Sequence, residues 1–116
     1  MVWNVLFVEE FAEEVRALPR GVRRELFAKA GLLEERGPQL SRPHADTLNG
    51  SAYSNMKELR FEAEDGVWRV AFAFDPKRNG IVLVAGDKAG VSEKMFYKRL
   101  IAKADERFAR HLARMK

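Results

Sequence analysis

Between residues 56 and 87, three runs rich in aromatic and β-branched residues are separated by turns too short to hold a crossover. Met56–Ala63 is followed by Asp65–Gly66, a two-residue hairpin signal. Val67–Phe74 is followed by Asp75–Gly80, which contains Pro76 and Asn79–Gly80, and Ile81–Asp87 closes the series. Strands joined this way run antiparallel, because a parallel pair needs a connection of about a dozen residues or more. The rest of the chain has to be built round this meander. Trp3–Val8 reads as a further strand. Phe11, Val15 and Leu18 recur at helical spacing through Glu9–Leu18, and Val22, Leu26, Ala30 and Leu33 do so through Val22–Arg36. Pro19 and Gly21 separate these two helices and Gly37–Pro38 stops the second, so they form a helical hairpin. Gln39–Asn55 is a long polar connector. From Ser92, a good N-cap residue, Phe96, Leu100, Ala104, Phe108 and Leu112 recur every four residues, which predicts an amphipathic helix. The order is β-α-α-β-β-β-α. The expected class is α+β, one antiparallel sheet with its helices packed on one face.

At 116 residues the chain is a single domain, 1–116, with no internal repeat or linker. A hydrophobic share of 47% beside 33% charged residues allows both a core and a hydrated surface. There is no cysteine, which excludes a disulfide scaffold, a thiolate metal site and a cysteine nucleophile. His44 and His111 show no metal-ligand spacing. The apolar run Val2–Val8 is broken by Asn4 and lacks the basic flank of a signal peptide, and no segment approaches the ~20 apolar residues of a membrane span. The expectation is a cytoplasmic protein that needs neither metal nor cofactor and has no membrane partner.

Charge is unevenly placed. Ser92–Lys116 carries eight Lys or Arg against three Asp or Glu, a net +5, while the whole chain sums to +4. The last helix is therefore a concentrated basic face, suited to nucleic acid or to an acidic protein partner.

Strand alternation sharpens this. In Val67–Phe74 the residues Trp68, Val70, Phe72 and Phe74 share one apolar face, the core side. Leu59 and Phe61 of the neighbouring strand match that side. Glu58, Arg60 and Arg69 then lie together on the opposite, open face, beside Ala71 and Ala73, whose small size leaves room above the sheet. Such a group forms an ordinary cross-strand ion pair, or it grips a phosphate. Lys57 is in the same strand but alternation points it away. Lys88 follows the third strand, and Lys94 and Lys98 open the last helix, so these can border the same cleft.

These segments resemble a known family. Asn55–Phe61, Gly66–Phe72 and Val84–Lys88, with Arg42–Leu48 upstream, are similar to the strand series of the RelE superfamily, in its phage-derived, HigB-like branch. The resemblance covers nearly the whole chain and implies the fold order given above. It also implies the toxin of a type II toxin–antitoxin pair, an endoribonuclease that cuts mRNA, commonly on the ribosome. The implied partner is a cognate antitoxin with a helix-turn-helix domain. Many relatives keep a tyrosine or histidine near a short C-terminus. Here a basic helix stands in that place, with Tyr97 its only tyrosine.

Metal-independent RNA cleavage needs a base for the ribose 2′-hydroxyl, cations for the phosphorane-like transition state and an acid for the departing 5′-oxygen. Arg60 and Arg69 suit the second role. Glu58, Lys88 and Lys57 are the candidates for proton transfer, with Glu58 also able to orient Arg69. His44, Lys94, Tyr97 and Lys98 are candidates for substrate contact. The competing readings are a non-catalytic RNA- or ribosome-binding module using the same basic face, and a phage accessory protein that docks an acidic partner.

Overall fold

The structure, a computed structural model, describes residues 2–115. The elements are β1 (Val5–Phe7), α1 (Glu9–Arg16), α2 (Arg20–Arg36), a 3₁₀ turn at Gly37–Gln39, β2 (Ala45–Thr47), β3 (Lys57–Ala63), β4 (Gly66–Phe74), β5 (Gly80–Asp87) and α3 (Glu93–Arg114). The α+β class and the element order hold, with β2 an added strand inside the long connector. The sheet order is β1-β5-β4-β3-β2. The β3–β4–β5 meander is antiparallel, as its turns dictate, and β2 adds to β3 antiparallel. β1 pairs with β5 in parallel, so the sheet is mixed rather than wholly antiparallel.

A second correction concerns the helices, which lie on both faces. On one face Leu59, Phe61, Val70, Phe72 and Val82 pack against Phe11 and Val15 of α1 and Val22, Leu26 and Leu33 of α2. On the other, Ala71, Ala73, Ile81 and Leu83 pack against Phe96, Leu100, Ala104 and Phe108 of α3. The reason is in β4 and β5, which are apolar on both sides and so need cover on both. Ala71 and Ala73 are fully buried; their small side chains do not leave a void but let α3 approach closely.

Two local features fix the register. The β3–β4 turn is Glu64–Asp65, both at positive φ (50° and 63°), as a tight hairpin of this hand requires. Gly66 is therefore not a turn residue but the first residue of β4, where a Cβ would sit 2.6 Å from Trp68 Nε1 and 2.8 Å from Asp87 Oδ2. Between β4 and β5 the pairing jumps from Ala71↔Val84 to Phe72↔Val82, leaving Leu83 as a bulge. Arg107 of α3, itself buried, donates Nη1 to the Leu83 carbonyl at 2.8 Å and forks onto Glu14 of α1 at 2.8 and 2.6 Å. That fork draws Glu14 below its ordinary value and raises Arg107. Among the described residues no helix is long and apolar enough to cross a membrane.

Candidate active site

The pleat sets out the site in two rows. Asp46 of β2 is the register partner of Glu58 of β3, which faces Ala71 of β4. Two residues along β3, Arg60 stands directly opposite Arg69 of β4. All share the α3 face of the sheet, but α3 packs over β4 and β5 and leaves the β2–β3 end uncovered. The first turns of α3 wall this gap. The result is a cleft of about 480 Å³ lined in part by Arg42, Asp46, Glu58, Arg60, Glu93, Lys94 and Tyr97. A second hollow of about 400 Å³, holding Arg69, adjoins it through Arg42 and Arg60. The open space lies over β2–β3, beside the alanines rather than above them.

Two arginines facing each other across a ladder repel. Glu58 offsets this: only 3% exposed, its Oε2 accepts from Arg60 Nη1 at 2.7 Å. Arg69 Nη1 donates to the Trp68 carbonyl at 2.9 Å. Glu58 Oε1 and Arg69 Nε are buried with no hydrogen-bond partner among the described residues. Both atoms are closed off beside the Tyr97 hydroxyl, so a ligand reaches them only if neighbouring side chains move. Burial pushes the Tyr97 hydroxyl above the ordinary tyrosine value, and the neighbouring Glu58 carboxylate adds to this against the pull of Arg69. Lys88 Nζ donates to Glu93 Oε1 at 3.0 Å and lies 5.7 Å from the centre of the Tyr97 ring. That bond holds Glu93 below the usual carboxylate range, with Arg69 and Arg60 contributing.

The structure thus brings together Glu58, Arg60, Arg69, Lys88, Lys94 and Tyr97. It does not bring in Lys57, which is on the other face and donates to the Pro38 carbonyl at 2.7 Å. His44 turns to α2, its Nδ1 3.1 Å from Lys29 Nζ; partial burial and then the Lys29 charge lower its pKa. Lys98 is exposed on α3 and lines neither hollow. Sequence reasoning missed Arg42, Asp46 and Glu93. The signal for the first two was a charge pair four residues apart in a connector otherwise dominated by small polar residues. Glu93 had the look of an ordinary acid in a first helical turn. Among the described residues no three His, Asp or Glu side chains converge as a metal site.

Residues 13–109 match the family described as phage-derived protein Gp49-like. The chain is 44% identical over 107 residues to the candidate toxin HigB2 of Mycobacterium tuberculosis H37Rv, covering 91% of this chain and 53% of HigB2. It is also 44% identical over 97 residues to the candidate toxin HigB3 of the same organism, covering 84% of this chain and 82% of HigB3. The chain therefore spans about half the length of HigB2 and most of HigB3. Among solved structures, a double arginine-to-alanine mutant of the E. coli toxin RelE in the free state superposes with a TM-score of 0.62 at 18% identity, over 89% of this chain and 97% of that one. An archaeal RelE–RelB complex from Pyrococcus horikoshii OT3 gives 0.56 at 16% identity, over 78% of this chain and 100% of that one. At such identities the likeness is one of fold.

Proposed function

This chain belongs to the phage-derived Gp49-like family and the HigB-like branch of the RelE superfamily, and on that footing we propose that it is the toxin of a type II toxin–antitoxin pair, a metal-independent endoribonuclease that cuts mRNA on the ribosome. The observation that carries the reading is Glu58: a buried carboxylate with one oxygen held by Arg60 and the other without a hydrogen-bond partner among the described residues, set beside two facing arginines at the cleft.

The residues divide the reaction as follows. Once neighbouring side chains move aside to expose it, Glu58 Oε1 takes the proton of the ribose 2′-hydroxyl, and the 2′-oxygen attacks the adjacent phosphorus. Arg60 and Arg69 hold the non-bridging oxygens as negative charge builds on them; losing one such donor typically costs about 10²–10³ in rate. In-line displacement places the leaving oxygen on the far side of phosphorus, so its proton comes from a different wall than the one bearing Glu58. Lys88 lines neither hollow but is tied to Glu93 of the cleft wall, and the role is assigned to it through that contact. The P–O5′ bond breaks, leaving a 2′,3′-cyclic phosphate and a free 5′-hydroxyl. Tyr97 lines the substrate path next to Glu58. The cognate antitoxin, a protein with a helix-turn-helix domain, acts by blocking this cleft.

The basic surface of α3 favours one other reading, a module that binds RNA or the ribosome without cutting. Expression in bacteria separates the two. The nuclease arrests growth at low dose and Arg69→Ala relieves the arrest with the protein still soluble; a passive binder is tolerated in both forms.

A further inference from the structure

If the cleft takes single-stranded RNA, as proposed above, Arg42 has a different task from Arg60 and Arg69. Its Nε donates to Asp46 Oδ2 at 2.9 Å, and Nη2 forms an ion pair with the same oxygen at 2.7 Å. The other carboxylate oxygen, Oδ1, accepts from the Thr47 backbone N–H at 2.9 Å. Asp46 is in turn fixed by the β2–β3 ladder. The Nε side of Arg42 is therefore engaged, which sets the plane of the guanidinium, while the Nη1 end lies outside this pair. The flat face of the guanidinium is open as well. It is 69% exposed and stands where the two hollows meet, as Arg60 does. An oriented planar cation with a free face is a stacking platform for a nucleobase.

We propose that Arg42 determines specificity by stacking on the base that flanks the phosphate held by Arg60 and Arg69, with Asp46 as the positioning residue that fixes its plane. Purines, with the larger face, are preferred. An exposed ion pair is weak by itself, so the role of Asp46 is orientation rather than stability.

The test uses 2′-O-methyl hexanucleotides, oligo(A) and oligo(U), in which the attacking hydroxyl is blocked, titrated against purified wild type, Arg42→Ala, Arg42→Lys and Asp46→Asn. The wild type binds oligo(A) more tightly. Arg42→Ala and Arg42→Lys each weaken oligo(A) by about fivefold or more and oligo(U) by clearly less, and Asp46→Asn moves the A-to-U ratio part of the way. A mutation that merely disturbed the fold would not move that ratio, and the exposure of Arg42 makes such disturbance small. Wild-type affinity for oligo(A) in Arg42→Lys shows that a point charge suffices and overturns the proposal. So does equal weakening on both oligonucleotides, or a wild type that does not discriminate between them. The oligonucleotides are not cut, so a protein that discriminates them yet cleaves no cellular RNA retains the stacking role and loses the nuclease reading.

Discussion

On the α1–α2 face, β3, β4 and β5 present Leu59, Phe61, Val70, Phe72 and Val82, and two helices close over them. On the α3 face the same strands present Ala71, Ala73 and Leu83 at one end and Glu58, Arg60 and Arg69 at the other, and one helix covers only the first group. The pleat lets neighbouring residues of one strand serve opposite needs: Phe72 stabilises the fold, while Glu58 and the facing arginines form a charged cluster that repays its burial only when a ligand completes it. Stability and chemistry are therefore separable by face, and mutations should sort that way.

The largest effect is expected on the open face. Replacing Arg60 and Arg69 together by alanine should lower RNA cleavage by about 10⁴ or more, from about 10²–10³ for each. Relief of the repulsion is offset by leaving buried Glu58 without its partner, so stability should fall as well and the rate is compared per folded molecule. On the closed face, Phe72→Ala should cost about 3–5 kcal/mol of stability, read by chemical denaturation. It should leave the rate per folded molecule near that of the wild type. A large loss of activity per folded molecule in Phe72→Ala would break the separation. Arg107→Ala sharpens the comparison at the bulge. It leaves the Leu83 carbonyl without its side-chain partner and should cost about 1–3 kcal/mol. The smallest effect is a pH dependence. Arg107 holds Glu14 below its ordinary value of 4.5, so this contribution is present above that pH and is lost as pH falls through the lower, folded-state value. Glu14 is 44% exposed, so the effect is modest. Glu14→Gln should flatten the acid limb of a stability-versus-pH curve, and an unchanged limb would assign acid sensitivity elsewhere.

Much of this was legible in the sequence, for physical reasons. Short turns force antiparallel pairing, and alternation over long strands assigns faces without ambiguity, so the meander and the Glu58–Arg60–Arg69 cluster followed directly. Lys57 obeyed the same rule and faces away. Periodicity says that α3 has an apolar stripe but not which sheet face it meets, so its placement opposite α1 and α2 was hidden. β2 is three residues long, too short for alternation to register, and with it Arg42 and Asp46 were lost among connector residues. The direction of β1 depends on which sheet edge is vacant, a tertiary fact. His44 had a polar loop setting in sequence, but its direction is set by Lys29, fifteen residues earlier on α2.

The uncovered end of the α3 face is expected to cut RNA. The most direct test is to map RNA 5′ ends in cells minutes after induction of the wild type, beside the Arg60→Ala/Arg69→Ala double variant. New ends with free 5′-hydroxyls inside translated messages, in phase with codons, are expected for the wild type alone. An absence of new ends from a soluble, folded wild type, or the same ends from the double variant, would contradict it.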